Sequence, residues 1–352
     1  MNTHEFYMNR CLQLAKNGLG STYPNPLVGS VIVYQGKIIG EGWHMKSGEP
    51  HAEVIAIQSV KDKSLLKKAT LYVNLEPCSH FGKTPPCCDL ILTHDIPNIV
   101  IGTIDLHSKV AGKGIQKLKE QGKNVEVGIL EKECQELNKR FFTFHTKKRP
   151  FILLKWAETK DGFIAPILPE PKEHNQLKPI WITTAFSRQL VHKWRSEEEA
   201  ILVGTKTVLT DNPHLNTRDW AGRNPIRLVL DKSGKINTNF NVKDNKQATL
   251  IFTEEEKSNN SECIKYESVI FDKNLIFNVL KIAFEKNISS ILVEGGRETL
   301  QSFIDLGLWD EIRMFVGTKN FDSGVKAPIF SAKQISEHHL NGDTLKIFCK
   351  YD

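Results

Sequence analysis

The chain has 352 residues, 40% hydrophobic and 25% charged; this is an ordinary globular composition, long enough for two domains. Its 47 basic and 41 acidic residues leave a net charge of +6, too dispersed for the clustered basic face of a nucleic-acid binder. No apolar run approaches the roughly 18 residues of a membrane span, and Met1-Asn-Thr-His-Glu-Phe6 lacks the basic-then-apolar order of a secretory signal. Seven cysteines are too few for a disulfide scaffold. Their odd number fits a reducing compartment, so a cytoplasmic location is expected.

Met8, Cys11, Leu12 and Ala15 recur at helical spacing, and Gly18 and Gly20 end that pattern. Pro24-Asn25-Pro26 leads into a strand over 28–33, which a turn at Gln35-Gly36 returns as a second strand from Lys37. His51-Ala-Glu53 opens a helical pattern that runs to Val60. An alternating strand follows over 70–75, then Pro77-Cys78, a loop, and Pro86-Cys87 at the start of another helix. Further strands are expected over 99–103 and 125–129. A glycine-bearing loop at Gly112 and Gly114 opens a helix over 115–120, and one unbroken helix is expected over 131–144. Alternating strands and helices make this half a layered α/β domain.

One imidazole, two thiols and a carboxylate that need not bind metal are the parts of a catalytic zinc site with an open fourth position. His-x-Glu followed by two Pro-Cys steps is the signature of the zinc deaminases, in which the glutamate moves protons and is not a ligand. His51, Cys78 and Cys87 are therefore the expected zinc ligands and Glu53 the expected acid/base. Eight residues, Ser79 to Pro86, separate the cysteines, where the short-spaced cytidine and transfer-RNA deaminases have two. Cys88 is expected to pack and not to ligate. Asn25 is either a turn residue or an amide that reads a pyrimidine edge. His44 is either a plain loop residue or a substrate contact. Lys83, in the loop between the cysteines, suits a phosphate.

Thr146-Lys-Lys-Arg-Pro150 reads as the boundary, giving domains 1–146 and 147–352. Strands are expected over 151–157, 200–203, 227–230, 290–293 and 311–316, and helices over 184–195, 274–286 and 298–306. Residues 166–179 and 253–262 read as polar loops. Glu294-Gly295-Gly296-Arg297 joins a buried strand to a helix, either as a tight turn or as an anion site. No G-x-G-x-x-G is present, so a Rossmann domain is not expected.

In Pro24-Asn-Pro-Leu-Val-Gly29, His51-Ala-Glu-Val54, Leu75-Glu-Pro-Cys-Ser-His80 and Thr84-Pro-Pro-Cys87 the chain resembles the bifunctional riboflavin-biosynthesis deaminase/reductase family. Trp181-Ile-Thr183, Ile201-Leu-Val-Gly204, Asp211-Asn-Pro213 and Val293-Glu-Gly-Gly296 carry the likeness through the second half. The resemblance implies an α/β chain of two domains: a cytidine-deaminase-like three-layer α/β/α domain followed by a dihydrofolate-reductase-like α/β domain. It implies zinc and NADPH as cofactors and a phosphorylated pyrimidine as substrate, with neither nucleic acid nor membrane as partner. By the same resemblance NADPH contacts fall on Ala157, Trp181, Thr207, Asp211, Gly295 and Gly296, and substrate contacts on Arg195, Leu215, Arg218 and Glu294. Two arginines suit a phosphate. Lys155 is our candidate to protonate or polarise the opened sugar. A homo-oligomer is expected. The family's usual Asp-Pro-Asn-Pro is replaced by Asp105-Leu106-His107-Ser108, and Pro179 stands where a substrate-binding serine is usual.

Overall fold

The computed structural model describes residues 3–79, 85–106, 111–167, 180–255 and 261–350. Lys83, His107, Ser108 and Pro179 lie outside them. The chain divides into two compact units, Met1–Lys148 and Arg149–Asp352.

Unit one runs α1 (Thr3–Lys16), β1 (Gly29–Tyr34), β2 (Lys37–Trp43), α2 (Ala52–Ser59), β3 (Thr70–Leu75), α3 (Cys87–Thr93), β4 (Asn98–Thr103), α4 (Lys113–Glu120), β5 (Asn124–Val127), α5 (Glu131–Leu137) and α6 (Lys139–Lys147). Its sheet has the order β2-β1-β3-β4-β5. The hairpin β1–β2 and the pair β1–β3 are antiparallel; β3–β4 and β4–β5 are parallel. Side chains alternate across β3. Leu71 and Val73 join Ala56, Ile57, Ile91 and Leu118 on the face of α2, α3 and α4. Tyr72 joins Met8, Cys11 and Cys134 on the face of α1 and α5. This is the expected three-layer arrangement.

Unit two runs β6 (Phe151–Glu158), β7 (Phe163–Ala165), α7 (Ala185–Glu197), β8 (Ala200–Gly204), α8 (Thr205–Asp211), β9 (Ile226–Leu230), β10 (Thr249–Thr253), β11 (Ile264–Ser268), α9 (Leu275–Glu285), β12 (Ser290–Gly295), α10 (Arg297–Asp305), β13 (Glu311–Val316), β14 (Val325–Lys326), β15 (Lys333–Leu340) and β16 (Asp343–Cys349). Its nine-stranded sheet has the order β11-β10-β9-β8-β12-β6-β13-β16-β15. It is parallel from β11 to β13 and antiparallel where β16 and β15 join. One face packs on α9 and α10 through Leu202, Leu228, Phe252 and Val293, the other on α7 through Leu153, Val203, Val191 and Trp194. Among the described residues no helix is long and apolar enough to cross a membrane.

The structure departs from the sequence reading in several elements. The single helix expected over 131–144 is two, broken at Asn138, and past the break the buried face passes through Phe142 and Phe144, with Phe141 only partly covered. The strands β10, β11, β15 and β16 and the helix α8 had no counterpart in that reading.

Gly40 and Gly42 both face α2 from β2. A Cβ at Gly42 would stand 2.5 Å from the Ala56 nitrogen and 2.6 Å from the Ala52 oxygen. The missing side chains let the helix backbone lie directly on the strand. Glu53 rides on that helix. Gly42→Ala is expected to destabilise unit one by roughly 1–3 kcal/mol through overpacking and to lower its melting temperature in calorimetry. An unchanged melting temperature would show that α2 backs away freely.

Candidate active sites

His51 stands at the N-cap position of α2 in extended conformation, with Glu53 in the first turn. Cys78 lies just past β3, and Cys87 is the first residue of α3 behind the N-cap Pro86. The sheet brings these three segments together. His51 Nδ1 lies 3.6 Å from Cys78 Sγ and 3.3 Å from Cys87 Sγ. All three ligand atoms fall within 4.8 Å of one another. Zinc bonds of about 2.0 Å to nitrogen and 2.3 Å to sulfur at tetrahedral angles require an N···S edge of roughly 3.5 Å, which is the spacing found. The Cys87 amide donates to Cys78 Sγ at 3.3 Å.

Protonation supports the same assignment. A hydrogen bond with Cys87 holds the Cys78 thiol down at about 4, while that bond and then burial push the Cys87 thiol up. By itself the pair sustains one negative charge; two thiolates this close need a cation between them. The residues present therefore fit zinc. Glu53 is buried. Burial, then the charge of Cys78, push its carboxyl up to about 7. Cys88 is fully buried, and its thiol points to the Pro77 carbonyl at 3.3 Å.

His44 lies edge-to-face with His51, ring centroids 5.5 Å apart. His44 Nδ1 meets the Pro50 carbonyl at 3.1 Å, and Nε2 meets Asn25 Nδ2 at 3.1 Å. A carbonyl only accepts, so Nδ1 carries the proton and Nε2 accepts from the Asn25 amide. Burial lowers the pKa of His44 and keeps the ring neutral. The Asn25 amide is thereby oriented, with its Oδ1 left as the acceptor. The structure thus brings Asn25, His44, His51, Glu53, Cys78 and Cys87 to one place.

The glycine-bearing loop behaves differently from an anion site. Glu76 is buried and fills the start of α4: its carboxylate accepts from the amides of Gly112 at 3.0 Å, Gly114 at 2.8 Å, Ile115 at 3.4 Å and Asp105 at 3.2 Å. A Cβ at Gly114 would stand 2.2 Å from the Pro77 oxygen, so this helix start locks onto the segment that carries Cys78. Leu106 is exposed.

In unit two a cavity of about 2100 Å³ opens where the parallel strands end, the usual ligand position of such sheets. Glu294, at the end of β12, is gripped by Arg195 from α7 through two bonds of 2.7 and 2.9 Å. Lys155 of β6 lies 3.5 Å from the same carboxylate. Burial alone would raise Glu294; Arg195 and Lys155 outweigh it and hold the carboxyl at about 2. Burial lowers the pKa of Lys155, and Glu294 opposes that shift. Arg195 also donates to the Asn216 carbonyl, and Arg218 to the Asn216 side chain, both at 3.2 Å. Arg195 is therefore already engaged, while Arg218 is exposed. Leu215 is buried.

Ala157, Trp181, Thr207, Asp211, Gly295 and Gly296 line the same cavity. A Cβ at Gly296 would stand 3.2 Å from Thr207 Oγ1, so the glycine pair and α8 abut. Trp181 is half exposed beneath the Arg188 guanidinium, which lies 4.5 Å from the ring centre. The sequence reading missed His192, buried beside Asp219 at 3.2 Å and pushed down to about 4, first by burial and then by Arg195 and Arg218. Its place one helical turn before Arg195 was the available signal.

Residues 1–103 match the cytidine and deoxycytidylate deaminase zinc-binding region, and residues 150–344 match the RibD C-terminal domain. The riboflavin biosynthesis protein RibD of Aquifex aeolicus is 40% identical over 94% of this chain and 91% of its own length. That of Escherichia coli is 34% identical over 92% and 89%. Among solved structures, a Thermotoga maritima diaminohydroxyphosphoribosylaminopyrimidine deaminase/5-amino-6-(5-phosphoribosylamino)uracil reductase superposes with TM-score 0.88 at 38% identity, covering 99% of both chains. Acinetobacter baumannii RibD does so with TM-score 0.88 at 29% identity and the same coverage.

Fold and site thus define a zinc-dependent deaminase of the cytidine deaminase class joined to an NADPH-dependent reductase domain. The chain belongs to the RibD family, the bifunctional deaminase/reductases of riboflavin biosynthesis. Cys88→Ala is expected to keep one zinc per chain by metal analysis, whereas Cys78→Ala and Cys87→Ala each lose it. Loss of metal from the Cys88 variant would reopen the choice of ligands.

Proposed function

We propose that unit one hydrolyses the 2-amino group of 2,5-diamino-6-(5-phosphoribosylamino)pyrimidin-4-one and that unit two then reduces the ribosyl chain to ribityl, giving 5-amino-6-(5-phosphoribitylamino)uracil. The observation that carries the first step is the convergence of His51, Cys78 and Cys87 beside a buried Glu53. His51, Cys78 and Cys87 would hold the zinc, which when bound would lower the pKa of water toward neutrality. Glu53 takes one proton of the attacking water and gives it to the departing amine, so ammonia leaves; the proton of the added hydroxyl ends on the ring nitrogen, and a carbonyl remains. A carboxyl raised toward neutrality by burial suits both transfers. Asn25, turned by His44, offers its Oδ1 to an N–H on the pyrimidine edge. Lys83 is assigned to the substrate phosphate on its chemistry.

In unit two NADPH supplies the hydride. Its contacts are assigned to Ala157, Trp181, Thr207, Asp211, Gly295 and Gly296, and those of the substrate to Arg195, Leu215, Arg218 and Glu294. Arg195 orients Glu294, and the freer Arg218 takes the phosphate as a charge-assisted pair. Lys155, its pKa depressed by burial, would give a proton to the opened sugar, with NADPH, when bound, supplying the hydride. The domain boundary falls between 146 and 149. Seven cysteines without a disulfide support a cytoplasmic location. The outer strand β15, with Ile335 exposed, supports self-association through an unpaired edge.

Given the diaminopyrimidinone ribotide, the protein should release ammonia, and chelation of the metal should stop this while NADPH oxidation persists on the deaminated ribotide. Glu53→Gln should cut ammonia release about 10²- to 10⁴-fold with zinc retained; ammonia release that survives metal removal would overturn the mechanism. Lys155→Met should lower reductase turnover and leave ammonia release unchanged, and unchanged reductase turnover would remove Lys155 from the chemistry.

A further inference from the structure

The break between α5 and α6 has a partner far away in the chain. Asn138 keeps nearly helical backbone contacts: its amide donates to the carbonyls of Cys134 at 3.3 Å and Gln135 at 3.1 Å, and its carbonyl accepts from Phe142 at 2.9 Å. Its buried side chain instead reaches Leu27. The Leu27 amide donates to Asn138 Oδ1 at 2.8 Å, and Asn138 Nδ2 donates to the Leu27 carbonyl at 2.9 Å. Asn74, within β3, completes the arrangement. Its Nδ2 donates to the same Leu27 carbonyl at 3.0 Å, and its Oδ1 accepts from the Gly29 amide at 2.7 Å.

Residues 26–28 precede β1 and belong to no strand. Their buried polar groups still need partners. Two side-chain amides supply them, acting as a short substitute for a sheet ladder. The same strap also adjoins His44, which lies edge-to-face with the ligand His51. Asn25 lies two residues before Leu27, and the Val28 carbonyl accepts from the His44 amide at 2.9 Å. The Asn25 side chain then meets His44 at 3.1 Å.

We propose that Asn138, with Asn74, is a positioning residue of the deaminase: it fixes the Leu27 backbone and thereby holds the Asn25 amide where it reads the pyrimidine. This rests on the reading of Asn25 as a substrate contact. Asn138 itself touches neither metal ligand nor Asn25. It lies past residue 103, where the match to the deaminase zinc-binding region ends, and before residue 150, where the match to the RibD C-terminal domain begins. The connecting segment therefore serves the deaminase site.

The test uses the full chain with Asn25→Ala, Asn138→Ala, their combination, and Asn138→Asp. Zinc content, ammonia-release kcat and KM for the diaminopyrimidinone ribotide, and reductase rate on the deaminated ribotide are measured on each. Asn138→Ala removes both bonds to Leu27 and should raise the deaminase KM about tenfold, the effect of losing the one bond from Asn25 to the substrate. Its kcat should stay within about twofold of the parent, with zinc and reductase rate unchanged. Combined with Asn25→Ala it should raise KM no further, because both changes act through one group. Asn138→Asp keeps the bond from the Leu27 amide; it should raise KM less, and it carries the comparison if the alanine variant does not fold. A raised KM in Asn25→Ala with an unmoved Asn138→Ala, or effects that multiply in the combination, overturns the positioning role alone. So does loss of zinc as the source of the Asn138 effect. An unmoved KM in Asn25→Ala removes the substrate reading of Asn25 and the positioning role with it.

Discussion

Two thiols and an imidazole whose ligand atoms all lie within 4.8 Å of one another cannot all take their ligating forms unless a cation lies among them. That constraint organises unit one. Each ligand comes from a separate segment, so zinc joins the start of α2, the end of β3 and the start of α3 at one point. Binding free energy at such a site is also folding free energy. The elements around it are placed accordingly: glycines in β2 let α2 sit against the sheet, and the Glu76 carboxylate ties the turn before Cys78 to α4. The carboxyl of Glu53 is buried on the same helix start that delivers His51.

Unit two solves a different electrostatic problem. Glu294 is an anion buried between two cations, and its carboxyl stays ionised because Arg195 and Lys155 overcome the burial that would raise it. The cost of burying charge is met locally, by a bidentate pair and a third partner. One consequence is a division of labour among the arginines. Two look equivalent in the sequence, yet Arg218 is an exposed residue with one bond to the Asn216 side chain, while Arg195 is bound on both sides by Glu294 and the Asn216 carbonyl.

The zinc site was legible because its signal is local: His-x-Glu and two Pro-Cys steps fix ligand chemistry within short windows, and the intervening strand is plain from its alternation. Most elements with strong periodicity were legible too. What the sequence did not disclose depends on distant partners. Asn138 sits in a good helical pattern, and only Leu27, 111 residues away in sequence, explains the break there; asparagine side chains compete with helix formation when a backbone partner is in reach. Glu76 reads as a bystander in a Pro-Cys motif until α4 is placed against it. The missed strands have physical reasons as well. β10 is buried throughout and shows no alternation, while β15 is exposed at nearly every position. Neither gives a periodic signal.

The two units use one device in opposite senses. In both, a parallel strand runs into a loop and then the N-terminus of a helix, where free amides and the helix dipole favour an anion. In unit one that place is filled from within: Glu76 takes the amides at 112, 114 and 115, so α4 has nothing to offer a phosphate and serves to brace the Cys78 turn. In unit two α10 follows its N-cap Gly296, which brings no side chain to cap it, and the glycine pair lies directly against Thr207 of α8. An internal carboxylate caps the first helix start, and among the described residues no side chain caps the second.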